Sequence, residues 1–298
     1  ACFYLLSLLE PRFAALQGSM TASDPLRQEL ARHFVQRRRK DIVEWQAETH
    51  DGRGFPRRMK TELTFLLCGD WGAFFDAGQD YCRELAETVE QQEQQGGARL
   101  IWYATLALLR CVASSPAAAV KALTTRLEGT LPEDALLSDE RLHDGEADDL
   151  SGSDLEPPAQ VQDAAPRRQA LIADAQRLSG KAGDPNLAAL IRHIGLLGKE
   201  GYHPVVFCRY IATAHYVAEH LRTVFRNHQV TPVSCQFAPA EREATVEAMG
   251  EAEQRILVAT DCLSEGINLQ NLFTAVVHYD LSWNPTRHEQ REGREDRF

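Results

Sequence analysis

The chain has 298 residues, of which 44% are hydrophobic and 25% are charged. This length is enough for two domains with buried cores, and the composition is ordinary for a globular protein. The formal net charge of −11 excludes a uniformly basic nucleic-acid-binding protein, so any attraction for phosphate has to come from local clusters of basic residues. No apolar run reaches the length of a membrane span, and we expect no membrane partner.

The cysteines and the apolar start of the chain indicate the cellular compartment of the protein. The seven cysteines form no C-x-x-C pair, and most lie among apolar residues, which predicts reduced thiols, a cytoplasmic protein and no metal site. Residues 2–9 are apolar but short and lack a basic leader, so a buried helix is predicted there. Because the chain begins at Ala1 and ends at Phe298, we expect it to be a piece of a longer polypeptide.

The first part of the chain is predicted to be mainly helical. We interpret residues 1–20 as the end of a preceding lobe and residues 21–115 as a helical bridging segment. Residues 26–60 include ten basic and five acidic residues, so this stretch is locally basic. The patterns predict a helix from 26 to 45, a strand at Lys60–Leu67 and helices at 70–95 and 98–113.

Residues 116–170 differ from the rest in composition. This stretch contains twelve acidic and five basic residues. Ala, Pro and Ser are frequent in it, and aromatic residues are absent. Such a stretch buries too little apolar surface to offset the entropy of ordering, so an acidic flexible linker or insertion is predicted. The acidic run is either a solvated spacer or a regulatory segment that mimics nucleic acid.

Residues 171–298 alternate between amphipathic helices and short apolar strands. Such alternation is typical of βαβ units, so an α/β lobe with a parallel, doubly wound sheet of RecA-like type is predicted. The expected elements are helices at 186–199, 213–225 and 239–250, and strands at 204–208, 230–237, 255–260 and 275–279.

Small polar residues follow the third of these strands. Thr260, Asp261 and Ser264 begin the next loop, and Gly266 lies within it. In open parallel sheets, ligands bind at the carboxyl edge, where hydroxyl and carboxylate groups can contact a phosphate or a sugar. A glycine there permits close approach of another backbone. The alternative is an ordinary loop closed by an aspartate cap.

Arginines cluster at the end of the chain. Residues 290–297 follow the spacing Q-R-x-G-R-x-x-R. Because arginines three apart share one helix face, Arg294 and Arg297 can direct two guanidinium groups at one anion, and Gly293 leaves room for a phosphate. A solvated helix face is the alternative.

Together these two segments resemble motifs V and VI of superfamily-2 helicases and translocases. Residues 283–285, Trp-Asn-Pro, resemble the corresponding segment of the Swi/Snf-like branch. The arginine-rich residues 37–40 and the Phe-Pro pair at 55–56 resemble the bacterial RNA-polymerase-associated helicases. The resemblance implies that Arg294 and Arg297 are catalytic arginine fingers for the γ-phosphate of ATP. It also implies nucleotide binding or coupling by Gln290, Gly293, Asp261 and Gly266, and contact with nucleic acid by Thr260 and Ser264.

Two further segments resemble the same family. Residues 205–214 resemble motif IV, which implies contact with nucleic acid by Arg209, although this residue could equally be solvated. Residues 33–42, with Pro56 after them, resemble the segment that links the two lobes of Swi/Snf-like ATPases. Arg38 and Lys40 then either contact phosphates or belong to a helix face that docks on another lobe.

The chain contains no phosphate-binding loop of the form G-x-x-x-x-G-K-[ST], and no apolar strand ends in an Asp-Glu pair that would hold Mg²⁺. We therefore expect ATP and Mg²⁺ to be held mainly by an N-terminal RecA-like lobe of the same polypeptide, and we expect this chain alone to be inactive.

The first hypothesis is the C-terminal portion of an ATP-dependent translocase on double-stranded DNA. The alternatives are a strand-separating RNA or DNA helicase, and a non-enzymatic adaptor that retains the lobe fold.

Overall fold

The computed structural model describes residues 59–90, 97–124, 165–263, 267–282 and 285–295. The chain divides into two compact units, one of residues 1–59 with Phe298 and one of residues 60–297. The predictions for residues 1–20 and for the basic helix with Arg38 and Lys40 lie outside the described residues, as does most of the predicted acidic linker.

In the described residues of the first part of the second unit there are four helices. They are α1 (Gly69–Glu90), α2 (Gly97–Ser114), α3 (Pro116–Thr124) and α4 (Ala165–Arg177). Their inward faces share one apolar core that includes Trp71, Phe74, Tyr81, Leu108 and Leu171. The predicted helices are confirmed over residues 70–90 and 98–113, where apolar residues recur at helical spacing, while 91–95 lie outside the described residues. Within the described ranges, no helix has both the length and the apolar character needed to cross a bilayer.

Two predictions for this part are wrong in their details. Lys60–Leu67 forms no strand, and Phe65 and Leu66 are 38% and 81% exposed, because no neighbouring strand pairs with this segment. Pro116–Thr124, placed by composition in the flexible linker, is a helix whose Ala118 and Leu123 are fully buried. Small alanine side chains let α3 pack closely on its neighbours, a property that composition alone does not reveal.

The second part is a four-stranded parallel sheet with helices on its two faces, as predicted. The strands lie in the order β2-β3-β1-β4 and all pairs are parallel. In chain order the elements are α5 (Pro185–Lys199), β1 (Pro204–Phe207), α6 (Ile211–Val224), β2 (Gln229–Val233), α7 (Pro239–Ala248), β3 (Arg255–Ala259), β4 (Ala275–His278) and α8 (Pro285–Glu295).

The strands are apolar because both faces of the sheet are covered. Successive side chains point to opposite faces, so Val206 packs with α5 and α6 while Val205 and Phe207 pack with α7 and the loop after β3. This burial on both sides explains why the strands read as continuous apolar runs in the sequence.

A buried carboxylate ties α5 to the sheet. Asp184 caps α5 by accepting hydrogen bonds from the backbone N–H groups of Asn186 and Leu187, at 2.9 and 3.0 Å. It also accepts from the hydroxyls of Tyr216 in α6, at 3.0 Å, and Tyr279 after β4, at 3.3 Å. Burial raises the pKa of Asp184, although these four donors oppose the shift. The cap therefore fixes α5 and α6 against the end of β4.

Candidate functional site

The carboxyl ends of β1, β3 and β4 bring three loop starts together. The hydrogen-bond ladder continues one residue beyond each strand, with the Cys208 N–H donating to Ala259 O at 2.8 Å and the Tyr279 N–H donating to Phe207 O at 2.9 Å. The next residues along the chain after these three strands are Arg209, Asp261 and Asp280. They therefore lie at one edge of the sheet, where ligands bind in open α/β folds.

A buried ion cluster occupies this edge. The Asp261 carboxylate accepts a hydrogen bond from Arg291 Nε at 2.6 Å and one from Arg287 Nη1 at 2.9 Å. The side chains of Asp261, Arg287 and Arg291 are only 2%, 8% and 1% exposed. Because Arg287 and Arg291 are four residues apart on α8, they lie on one helix face and hold that face against the loop after β3.

The ionised form of Asp261 is favoured by its partners. Burial by itself would raise the pKa of this carboxyl group, but the charges and hydrogen bonds of Arg291 and Arg287 outweigh it and hold the pKa below its usual value. Asp261 therefore stays charged at neutral pH and continues to attract both guanidinium groups.

Arg291 makes contacts in several further directions. Its Nη1 donates to the backbone oxygen of Asp280 at 3.1 Å and lies 3.4 Å from His278 Nδ1. Its guanidinium carbon lies 5.4 Å from the centre of the Phe207 ring, within the range of a cation–π contact. One buried side chain thus joins α8 to the ends of β1, β3 and β4.

His278 is held in its neutral form. Burial, and then the positive charge of Arg291, lower the pKa of His278 to about 3. Because a guanidinium can only donate hydrogen bonds, Nδ1 is the acceptor and the ring proton lies on Nε2, 3.7 Å from Glu292 Oε1. His288 packs edge-on against the same ring at 4.7 Å, and Lys60 adds a weaker positive field.

The free energy of unfolding should therefore fall as the pH drops below about 6.5. The unfolded chain takes up a proton on His278 near that pH, whereas the folded chain resists it down to about pH 3. We expect His278 to account for a loss of about 1 to 2 kcal/mol between pH 7.5 and pH 5. Urea unfolding of the wild-type chain and of His278→Gln at several pH values measures this difference.

The matched control for that measurement is His215→Gln, because His215 is exposed on α6 and lies outside the cluster. If both variants show the same dependence of unfolding free energy on pH, then His278 is not the group that resists protonation.

The outer turn of α8, which we define as residues 290–294, carries three of the residues predicted to act on the nucleotide. Gln290 is exposed, and Arg294 is half-buried one turn beyond Arg291 on a neighbouring part of the helix surface. A Cβ atom added to Gly293 would have no heavy atom within 4 Å, apart from its chain neighbours and the nearby backbone of its own helix. The space beside this glycine is therefore open. The Arg294 carbonyl accepts from the Leu269 N–H at 3.1 Å, which fixes the end of the helix to the loop after β3.

The other predicted residues of this edge are placed as follows. Thr260 is fully buried. Its hydroxyl donates to Cys262 Sγ at 3.3 Å, and its N–H continues the ladder to Val233 O. Contact between this hydroxyl and nucleic acid stays a prediction and requires the loop to open. Ser264, Gly266 and Arg297 lie outside the described residues.

Arg209 lies at the rim of the same edge. Its backbone N–H donates to Asp280 Oδ2 at 2.9 Å, and its guanidinium carbon lies 5.7 Å from the centre of the Tyr210 ring. Burial raises the pKa of Asp280, while hydrogen bonds from Arg209 and Ser114 oppose the shift. Tyr210 itself is 3% exposed and belongs to the core of helices α1–α4.

The sequence patterns indicated no role for Arg287, His278 or Asp280, and they included Arg291 only as part of the motif. The available signal was the i, i+4 spacing of Arg287 and Arg291, which places both on one face of the predicted helix. In the described ranges, no three His, Cys, Asp or Glu side chains are grouped to hold a metal ion.

Comparison with known proteins gives a family match for the second part of the chain. Residues 186–298 match the family described as helicase conserved C-terminal domain. The chain is 33% identical over 90 residues to ATP-dependent RNA helicase dbp8 of Aspergillus clavatus and 31% identical over 94 residues to ATP-dependent RNA helicase eIF4A of Scheffersomyces stipitis. These matches cover 30% and 32% of this chain but only 17% and 23% of the relatives, so the chain spans a small part of their length.

The fold also resembles a solved structure, the C-terminal part of the Fun30 ATPase domain. The TM-score is 0.51 at 12% sequence identity, and the similarity covers 82% of this chain and 81% of that one. This likeness concerns the fold, and together with the parallel sheet it confirms the predicted RecA-like lobe with a mainly helical segment before it.

Proposed function

We propose that this chain is the C-terminal portion of an ATP-dependent motor of the superfamily-2 helicases, of Swi/Snf-like type, that moves on double-stranded DNA. The single observation that carries the proposal is the buried cluster of Asp261, Arg287 and Arg291. It holds α8 on the carboxyl edge of the sheet and so fixes the position of the next turn of that helix, which carries Arg294.

In this proposal the chain supplies one wall of the nucleotide site. Arg294, together with Arg297, neutralises charge that develops on the γ-phosphate, and the open space beside Gly293 admits the phosphate to the helix. ATP and Mg²⁺ are held mainly by a second lobe with a phosphate-binding loop, a motif that these 298 residues do not contain.

The same cluster provides a route for coupling. Asp261 begins the loop after β3, and the residue before it, Thr260, is the proposed contact to nucleic acid. Arg291, which donates a hydrogen bond to Asp261, lies three residues before Arg294 on α8. A shift of α8 on closure over ATP is then passed to that loop through two short ionic hydrogen bonds. Contacts to phosphates, rather than to bases, suit a motor that traverses any sequence.

The proposal is tested by comparing this chain with the polypeptide that also carries the phosphate-binding lobe. We expect ATP hydrolysis stimulated by duplex DNA only in the latter, together with displacement of a triplex-forming strand from the duplex. DNA-stimulated hydrolysis by residues 1–298 alone, or the absence of any nucleic-acid stimulation in the two-lobe polypeptide, would contradict it.

A strand-separating RNA helicase is the second candidate, favoured by the similarity of this chain to dbp8 and eIF4A, which are named as RNA helicases. Unwinding of an RNA duplex without triplex displacement selects this candidate. A non-enzymatic adaptor is the third, and it requires that the two-lobe polypeptide hydrolyses no ATP at all.

A further inference from the structure

A polar cavity lies at the amino edge of the sheet, opposite the candidate site. Its volume is about 650 Å³, and it is lined by residues 226–229 and 252–254. The first group ends the loop between α6 and β2 and includes the first residue of β2, and the second group directly precedes β3. Because β2 and β3 are parallel, both groups lie where the strands begin.

Backbone hydrogen bonds hold the two walls of this cavity in place. The Gln229 N–H donates to Gln254 O at 2.9 Å and joins one wall to the other. Arg255 donates from Nη1 to Ala252 O at 2.8 Å and from Nε to Leu272 O at 2.7 Å, so its side chain fixes the second wall to the loop before β4. The cavity is therefore pre-formed, and a ligand need not order its walls on binding.

The fold does not use the polar side chains around the cavity. In the part of the chain that the structure describes, the exposed carboxamides of Asn227, Gln229 and Gln254 make no hydrogen bond. The half-buried His228 ring packs edge-on against Phe225 at 5.3 Å, and its Nδ1 is buried without a hydrogen-bond partner among the described residues. Burial lowers the pKa of His228, so the ring is neutral and offers one donor and one acceptor.

We propose that this cavity binds an extended, uncharged peptide segment of another protein through the main-chain groups of that peptide. Every peptide unit presents one N–H and one C=O, and in an extended segment neither is used within the peptide itself. The carboxamides of Asn227, Gln229 and Gln254 can accept from the one and donate to the other. The site does not depend on the proposed function, because it lies at the edge of the sheet away from Asp261.

Charge and polarity argue against other classes of ligand. The lining residues include one arginine and one glutamate, so the cavity carries no excess positive charge to attract a nucleic-acid backbone. Ala252 is the single apolar residue among them, whereas pockets for small molecules are lined mainly by apolar and aromatic side chains. A ligand rich in uncharged donors and acceptors matches this lining.

The test selects short random peptides displayed on phage for binding to the full 298-residue chain, with counter-selection against the variant Ala252→Arg. The long arginine side chain should fill the cavity. A selected peptide is then synthesised with a fluorescein label, and its affinity is measured by fluorescence anisotropy. We expect Ala252→Arg to weaken binding by more than about 10-fold, and Gln229→Ala and Gln254→Ala each to weaken it about 5-fold, the effect of one neutral hydrogen bond.

Gln169→Ala is the matched control, because it removes an exposed carboxamide from α4, outside the cavity. It should leave the affinity for the peptide at the wild-type value. Circular dichroism shows whether each variant is folded. If Ala252→Arg does not fold, the Gln229 and Gln254 variants decide the result.

Two results overturn the site. If every selected peptide binds the wild-type chain and the three cavity variants equally, the cavity holds no peptide and the proposal is wrong. If labelled oligo-dT or oligo-U binds the wild-type chain and loses affinity in the Gln229 and Gln254 variants but not in Gln169→Ala, the ligand is nucleic acid and the proposal is again wrong. Neither result bears on ATP hydrolysis by the two-lobe polypeptide, so the proposed function stands or falls separately.

Discussion

Replacing Asp261 with asparagine is expected to lower the free energy of unfolding by about 3 to 5 kcal/mol. The amide keeps the size of the side chain but removes its charge, so two buried guanidinium groups lose the carboxylate that neutralises them. Arg291 cannot reach water by changing rotamer, because its side chain is 1% exposed and surrounded by His278, Phe207 and the Asp280 carbonyl. The cost of an uncompensated buried charge therefore remains in the folded state.

Urea unfolding followed by circular dichroism measures this change, and Asp70→Asn is the matched control. Asp70 also pairs with an arginine, Arg177, at 2.6 Å, but the two side chains are 71% and 56% exposed. Removing this exposed pair should change the free energy of unfolding by less than about 1 kcal/mol. Equal effects of the two substitutions would show that the Asp261 cluster is hydrated in solution and does not anchor α8.

Most of the sheet and its helices could be predicted because each leaves a local pattern. The runs Val205–Phe207 and Ile256–Ala259 are continuous and apolar, as strands buried on both faces must be. Helix α5 begins with an aspartate cap and a proline, at Asp184 and Pro185, which is a local signal for a helix start. Where the pattern is ambiguous, as in the alanine-rich α3, only packing against α2 and α4 decides that the segment is ordered.

The candidate site was predicted less completely, because its partners are distant in sequence. Asp261 and Arg287 are 26 positions apart, and the residues between them carry no periodic signal that links the two. An arginine near the start of a helix is ordinarily exposed to solvent. The lowered pKa of His278 arises from burial and from Arg291, so it depends on the assembled edge and not on the residues next to it.

Burying two arginines is costly even when they are paired, so stability alone does not explain the cluster. Similar volumes of apolar side chain would often serve the fold equally well. The ionic hydrogen bonds do what apolar contacts cannot, because they fix the rotation of α8 about its own axis. With Arg287 and Arg291 held inward, the direction in which the next turn presents Arg294 is set by the geometry of the helix.

That geometry leads to the largest expected effect. In the polypeptide that carries both lobes, Arg294→Ala should lower the rate of nucleic-acid-stimulated ATP hydrolysis by about 10³- to 10⁵-fold, the range found for arginine fingers in GTPases. The guanidinium acts on charge that develops at the γ-phosphate, so its loss raises the barrier more than it weakens binding of the ground state. Nucleotide affinity should therefore stay within a few-fold of wild type, since the phosphate-binding loop of the other lobe is untouched.

Steady-state hydrolysis with saturating duplex DNA measures the rate, and titration with a fluorescent ATP analogue measures affinity. Arg226→Ala is the matched control, because it removes an exposed arginine from the opposite edge of the sheet and should leave both quantities at the wild-type value. Arg294→Lys keeps the charge but loses the planar donors, so it should recover only part of the rate. Turnover near the wild-type rate in Arg294→Ala would show that this side chain does not reach the nucleotide and that the outer turn of α8 forms no part of the ATP site.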